Sequence, residues 1–468
     1  MDDIKRGHST DLSRGHLACL GVRVATLKLP LDLTTLKRVA AVLLGVAGFF
    51  AVGTIIFMIA WAQREQYQGV ELGFLKYVLV QTHLATENVI AAWYSSMLLL
   101  AVAVAALIAS SVTSPIDTAR APRWLASGWL VIAAVFAVLS FDEIGSLHER
   151  VGMAVSVGGP GGWSWVKLLA LPIAATGAYM LAFAWTFVRP VPQAFRLFVA
   201  GVALFLANPI VEQIEMSLLY GAGAEPGTWA RFTHDALLVL EEGVLELFAT
   251  ICFLMAILFW LRVQVMDQPV FSTEVDPERA ARPAGIAALV IAAGTPLSAI
   301  AVGVLPDGDT GIAMNWFPAA AAFLLSLLTL SARAGLPADA EGQRRLALAL
   351  SALSLAISAY FGAGIHGYTD WGPADAMREL LRTTLAVGFA VVCVVLSRNA
   401  RGGYIGALLV AAVLMAFAVN VSGPHAALMA GCAAVAGATG VTAAFGRAVY
   451  SEPRISQRSG NAGRPSVV

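Results

Sequence analysis

The chain has 468 residues, of which 58% are hydrophobic and 13% are charged, and its mean hydropathy is +0.76. An ordinary soluble domain carries about 25% charged residues, so this composition excludes that class and predicts a polytopic integral membrane protein. The formal net charge of zero is unlike that of a basic nucleic-acid-binding protein, and we expect no nucleic-acid partner.

The predicted fold is all-α, with about twelve transmembrane helices. A helix of about 20 apolar residues crosses the ~30 Å hydrocarbon layer of a bilayer. Apolar stretches of this kind cover residues 39–62, 88–110, 124–141, 164–188, 195–219, 236–262, 284–304, 312–331, 346–363, 380–397, 404–421 and 424–446.

The basic residues predict the orientation of these helices. Most of the 30 Lys and Arg residues fall before the first helix, after the last one, or in alternate loops. Short cytoplasmic loops retain basic residues, so both termini are expected in the cytoplasm. We expect a multi-pass protein of the bacterial plasma (inner) membrane, in contact with the lipid bilayer, and the sequence leaves its oligomeric state open.

A polar segment rich in Pro and charged residues divides the chain into two groups of six helices. The predicted organisation is a basic cytoplasmic segment at 1–38, a six-helix bundle at 39–266, a cytoplasmic linker at 267–283, a second six-helix bundle at 284–447, and a disordered cytoplasmic tail at 448–468. The two groups differ in character, because acids and histidines concentrate in the first and Ala, Leu, Val and Gly dominate the second.

The first six predicted helices carry acids and histidines near their extracytoplasmic ends. An ionised carboxylate at bilayer depth costs at least ~2.5 kcal/mol, so such residues usually serve as ligands, proton carriers or paired charges. The cluster consists of His83, Glu87, Asp142, Glu143, His148, Glu149, Glu212, Glu215, His234, Glu241, Glu242 and Glu246.

Helical spacing predicts that these residues form polar stripes on separate helices, because positions three, four or seven apart share a helix face. The four stripes are His83 with Glu87, Asp142 with Glu149, Asn208 with Glu212 and Glu215, and Asp235 with Glu242 and Glu246. His234 and Glu241 are also seven residues apart, on the helix of the fourth stripe. If four stripes converge inside a bundle, they line one cavity with carboxylate and imidazole groups.

Such a cavity predicts a metal-dependent membrane enzyme. Acids and histidines from four helices can hold divalent metals that activate water or oxygen. The expected ligands of a Zn, Fe or Mn ion are Asp142, Glu149, Glu212, Glu215, His234, Glu242 and Glu246, with Glu143 or His148 as general acid or base. The expected substrate is a lipid-like or small apolar molecule, although the Glu-x-x-His spacing typical of di-iron sites is missing here.

Two other functions stay open at this point. The same acids could relay protons or cations in a secondary transporter, where Asn208-Pro209 would mark a broken helix. Alternatively, the polar stripes could meet a partner helix in a structural or assembly subunit. For residues 142–150, a solvated helix end or loop, with Glu143 paired to Arg150, is a simpler alternative.

Three segments carry a family resemblance: Glu87-Asn88 followed by Trp93-Tyr94-Ser95-Ser96, Ser140-Phe141-Asp142-Glu143 followed by His148-Glu149, and Leu240-Glu241-Glu242-Gly243 followed by Glu246. Together they resemble bacterial multi-pass membrane proteins of unassigned function over residues 80–265. The resemblance implies a shared site and names no reaction.

A second resemblance is to the membrane hydrolase superfamily that includes alkaline ceramidases. In those proteins acidic, Ser and His residues on several helices surround a zinc ion, and Ser95, Ser96, Asp142 and His148 would take such roles here. The paired late-helix histidines of that superfamily are missing in this chain. The resemblance therefore implies only that the substrate is related to lipids.

Overall fold

The computed structural model describes residues 31–66, 79–84, 89–113, 122–145, 165–221, 239–266 and 341–362, and shorter pieces at 233, 236–237, 316, 319–320, 322–327, 329–330, 384–385 and 388. Side chains at 60–66, 145, 165–168, 215–221, 242–243, 265–266 and 343 are outside this description. The predicted linker and tail, the first 30 residues, and the predicted helices at 284–304, 404–421 and 424–446 also lie outside it.

All secondary structure in these residues is helical. The helices are α1 (Leu33–Gln66), α2 (Ile90–Val112), the single turn α3 (Arg123–Ala126), α4 (Gly128–Gly145), α5 (Trp165–Phe183), α6 (Pro192–Gly221), α7 (Leu247–Met266) and α8 (Glu341–Gly362). The described residues also form two π-helical segments. Ala184–Val188 directly follows α5, and Val239–Glu246 directly precedes α7.

Six helices in the described part of the chain are long and apolar enough to cross a membrane. They cover Leu33–Ile59, Ile90–Val112, Leu169–Val188, Pro192–Ile214, Val239–Gln264 and Arg344–Phe361. The all-α class of an apolar, membrane-type protein is therefore confirmed. The count of twelve helices, the placement of the termini and the domain boundaries stay predictions.

Helices α2 and α7 occupy the centre of the bundle. Helix α2 packs against α4, α7 and α8, and α7 also packs against α6 and α1. Small side chains on α2, such as Ala92, Ser96 and Ala103, are buried and let the neighbouring backbones approach closely. By contrast, α1 leaves Phe49 and Ile59 exposed, as expected for a helix that contacts lipid on one side.

Helix α1 begins where Asp32 caps it. The Asp32 carboxylate accepts a hydrogen bond from the backbone N–H of Thr35 at 2.9 Å and a second from the Thr35 hydroxyl. These bonds satisfy one of the free N–H groups at the helix start. The Thr35 hydroxyl also holds the pKa of Asp32 below its usual value.

Residues 79–84 form a short turn that packs against α1. The Thr54 hydroxyl contacts the Thr82 carbonyl at 3.0 Å and accepts a bond from the Leu84 N–H at 3.1 Å. The Gln81 side chain in turn accepts a bond from the first N–H of α2, at Ile90. Thr82 and Leu84 are both buried, so the turn forms part of the packed bundle.

We predict that Gly53 is required for this packing. A Cβ atom at position 53 would lie 2.5 Å from Thr82 Cβ, whereas a Cβ atom at Gly45 on the same helix meets nothing within 4 Å. Gly53→Ala is expected to destabilise the protein by about 1–3 kcal/mol, measured as a lower melting temperature in detergent. Gly45→Ala is the matched control and should be neutral or stabilising by up to ~1 kcal/mol. Equal melting temperatures for the two variants would contradict the close approach.

Candidate functional site

A cavity of about 440 Å³ lies between α4, α5, α6 and the N-terminal end of α7. Most of its wall is apolar. Each of the helices contributes side chains to that wall, namely Val135, Phe136, Val138, Leu139, Leu169, Pro172, Ile173, Met180, Val202, Phe205, Leu206 and Phe253. Phe253 closes part of it by packing edge-on against Phe136 at 4.9 Å and Phe198 at 5.0 Å between ring centroids.

Five carboxyl side chains from three segments line this same cavity. They are Asp142 and Glu143 on α4, Glu212 on α6, and Glu241 and Glu246 on the π-helical segment. The structure thus brings together three predicted metal ligands, Asp142, Glu212 and Glu246, and the predicted acid-base residue Glu143. Whether they bind a metal or act in catalysis stays a prediction.

The acids gather at one end of the cavity. On α4, Asp142 lies seven residues beyond the apolar Val135, and on α6, Glu212 lies ten residues beyond Val202. At 1.5 Å per residue these separations correspond to about 10–15 Å along the helices. The cavity is therefore amphipathic, with a carboxyl-lined end and an apolar end about two to three helical turns away.

Helix α4 continues through Asp142 and Glu143 to Gly145. Both acids are half-buried, and Ile144 beside them is fully buried. These two residues therefore occupy the last turn of a packed helix and not a solvated loop. Residues 146–150, with His148, Glu149 and Arg150, lie outside the described part, so the predicted Asp142–Glu149 stripe and the Glu143–Arg150 pair stay predictions.

The π-helical segment Val239–Glu246 brings Glu241 into the site. Residues five apart lie about 140° apart on an α-helix, whereas the i→i+5 hydrogen bonds of a π-helix place them about one turn apart. Glu241 and Glu246 accordingly line the same cavity, and Glu241 is only 5% exposed. The sequence did not predict this pairing, because α-helical spacing aligns Glu241 with His234.

Helix α6 is continuous from Pro192 to Gly221, so the predicted break at Asn208-Pro209 is wrong. Pro209 still removes one N–H from the helix, which leaves the Phe205 carbonyl without its intrahelical donor beside the cavity. Asn208 and Glu212, four residues apart, both line the cavity as their spacing predicted. The buried Asn208 Oδ1 accepts no hydrogen bond from the residues that the structure describes.

The structure places the other predicted residues less completely. The side chains of Glu215 and Glu242, and all of His148, Glu149 and His234, lie outside the described part. Among the residues that are described, no three His, Cys, Asp or Glu side chains lie close enough together to hold a metal ion. His83 packs edge-on against Phe57, with ring centroids 4.9 Å apart, and is not part of the cavity wall.

A buried hydrogen-bond chain holds the end of α4 that carries Asp142. Ser96 on α2 donates to the Ser140 carbonyl at 2.6 Å, and the two hydroxyl oxygens lie 3.1 Å apart. The Trp316 indole N–H donates to Ser140 Oγ at 2.9 Å. A buried hydrogen bond contributes about 0.5–1.5 kcal/mol, so these contacts restrain the position of the helix end.

Comparisons with known proteins bear on the same region. Residues 46–261 match the model of a family described as a domain of unknown function, DUF8692. This interval contains α2, α4, α5, α6 and every cavity-lining residue. No curated protein and no solved structure matches the chain. The match therefore places the cavity inside a region similar to that family and names no activity.

We predict that the cavity acids react with an apolar carboxyl reagent delivered through lipid. Dicyclohexylcarbodiimide should modify peptides containing Asp142–Glu143, Glu212 and Glu241–Glu246 faster than the one containing Glu341, which is exposed and paired with Arg345. Mass spectrometry of digested protein measures the rates.

Filling the cavity should slow this reaction. Thr176 lines the cavity, whereas Leu171 on the same helix is 79% exposed and is not part of the wall. Thr176→Trp is expected to lower the labelling rate about fivefold or more, equivalent to ~1 kcal/mol, and Leu171→Trp should leave it unchanged. Equal rates in both variants would mean that the reagent reaches the acids by another route.

Proposed function

We propose that this chain is an integral protein of the bacterial plasma membrane that binds a lipid-like or small apolar molecule in the cavity between α4, α5 and α6. The carboxyl end of the cavity, near the extracytoplasmic face, would hold the polar end of that molecule. One observation carries the proposal: five acids from three segments line a single cavity whose remaining wall is almost entirely apolar.

The polar end of the cavity decides which molecule binds. Burial of a methylene group from water is worth about 0.8 kcal/mol, but a molecule that already resides in lipid gains little of this, since lipid tails are as apolar as the cavity wall. The apolar wall therefore determines the shape and length of the molecules that fit the cavity. Affinity and selectivity come from the carboxyl groups and Asn208.

The charge of the site favours a particular polar group. Five acids and one amide line the cavity, and no Lys, Arg or His is among its described lining residues. Such a site complements a cation or a hydrogen-bond donor such as an amine or hydroxyl, and it repels an anionic headgroup. The acids line the interior of the bundle, which favours a binding site over contact with a partner helix.

We predict that binding follows the charge of the ligand. Decylamine, decanol and decanoate have the same chain length and differ in their polar groups. The partition of each compound into detergent is the baseline against which its protection is compared. Protection of Asp142–Glu143 from the carbodiimide should be strongest for decylamine, weaker for decanol and weakest for decanoate. Equal protection by all three would show that only the apolar wall is recognised and would contradict the proposal.

Variants in which cavity acids are replaced by uncharged amides provide a second test of the proposal. Glu212→Gln combined with Glu246→Gln is expected to weaken decylamine protection at least about tenfold, because a hydrogen bond to a charged group is worth about 1.5–3 kcal/mol. Decanol protection should change less. Glu341→Gln, an exposed acid on α8, is the control and should leave both ligands unaffected.

A divalent metal ion, Zn, Fe or Mn, is a further proposal for the same site. Carboxylates suit such ions. Because no three of the described acids lie close enough together to hold an ion, a coordination sphere would combine one or two of Asp142, Glu212 and Glu246 with Glu149, Glu215, His234 or Glu242. The metal would support hydrolysis or oxidation of the bound molecule, with Glu143 or His148 handling protons.

Metal analysis of purified protein tests this part separately. We predict one or two tightly held ions per chain, lost in a Glu242→Ala and Glu246→Ala double variant and retained in Glu341→Ala. A metal-free protein that still binds decylamine would remove the metal and keep the binding site.

A further inference from the structure

Trp316 reaches the acid-bearing helix from the second group of helices. Its side chain is 5% exposed, its indole N–H donates to Ser140 Oγ at 2.9 Å, and its ring meets Phe141 edge-on with centroids 5.5 Å apart. Ser140 and Phe141 immediately precede Asp142 and Glu143. A residue 176 positions away in sequence from Ser140 therefore contacts the turn that carries two of the cavity acids.

The hydrogen-bond donors and acceptors of Trp316, Ser140 and Ser96 allow one arrangement of their protons. An indole N–H only donates, so Ser140 Oγ accepts from Trp316 and retains its own proton. The Ser96 hydroxyl donates to the Ser140 carbonyl at 2.6 Å, so the Ser140 proton is the one shared with Ser96 Oγ at 3.1 Å. Ser96 and Ser140 are both fully buried. Every proton has a partner, and rotation of the α4 end would break all three bonds.

We infer that Trp316 is a positioning residue for Asp142 and Glu143, so that the second group of helices completes a site whose acids all come from the first. Only the expected effect of Trp316 on ligand affinity rests on the proposed binding function. Its effect on the placement of the two acids stands independently, because the contacts with Ser140 and Phe141 do not involve a ligand.

The chain offers a matched control for a test. Trp93 on α2 also donates its indole N–H to a serine of the second group, Ser358 on α8, at 2.9 Å, and Ser358 donates to the Ala319 carbonyl at 2.7 Å. Trp93→Phe thus removes the same kind of bond between the same two groups of helices. Trp93 is not part of the cavity wall.

The experiment compares Trp316→Phe with Trp93→Phe by carbodiimide labelling in detergent. Trp316→Phe should change the labelling rate of the Asp142–Glu143 peptide about fivefold relative to the Glu212 peptide, the size expected for one lost hydrogen bond. Trp93→Phe should leave that ratio unchanged at a similar melting temperature. An unchanged ratio in Trp316→Phe, or an equal change in both variants, would overturn the inference.

A double-mutant cycle and a ligand measurement separate the two levels of the inference. Ser140→Ala should produce the same change in ratio as Trp316→Phe, and the double variant should add nothing further; additive effects would contradict a shared contact. Decylamine protection should weaken in Trp316→Phe and not in Trp93→Phe. One outcome separates the two levels. If neither the native protein nor any variant binds decylamine, but Trp316→Phe still changes the labelling ratio, the binding proposal fails and the positioning role of Trp316 is retained.

Discussion

The cost of exposing carboxyl groups to lipid constrains how helices of this composition can pack. An ionised carboxylate at bilayer depth costs at least ~2.5 kcal/mol, so acids spread over lipid-facing surfaces would oppose insertion of every helix that carries one. The chain collects Asp142, Glu143, Glu212, Glu241 and Glu246 around one internal cavity instead. Within a shared cavity, water, a proton, a cation or a ligand can stabilise several of these groups at once.

The helices create room for this cavity by packing tightly elsewhere. Small residues on α2 bring α4 close, and Gly201 on α6 leaves so little space that an added Cβ atom would lie 2.9 Å from the Phe253 ring. Phe253 is thereby held between α6 and Phe136 as part of the cavity wall. Pro172 on α5 and Pro209 on α6 both line the cavity, and each helix continues through its proline. Close contact around the core thus leaves the remaining gap between α4, α5 and α6.

Local patterns predicted the elements and part of the site. Apolar length identified α2 to within two residues, because the thickness of the hydrocarbon layer sets the length of a spanning helix. The same pattern located α1 and α4, with ends that differ by four to six residues from those observed. The four-residue spacing of Asn208 and Glu212 placed both on one face of α6, and both line the cavity. The pairing of Glu241 with Glu246 was not predicted, because nothing in the local sequence distinguishes a π-helical segment from an α-helix. The contact of Trp316 with Ser140 was also unpredictable, since it depends on how two distant helices dock.

The parts of the chain before and after the predicted linker contribute different chemistry to the contacts around the cavity. In the described part, the five cavity acids all precede residue 267, and the later residues contribute hydroxyl and indole groups to the contacts between helices. Ser326 and Ser351 lie 2.9 Å apart between their hydroxyl oxygens, and Ser358 further along α8 accepts from Trp93. Serine is small enough for close backbone approach and still forms a hydrogen bond across helices. The uncharged indole of Trp316 can thus restrain the acid-bearing helix through Ser140 without placing another charge beside the cavity.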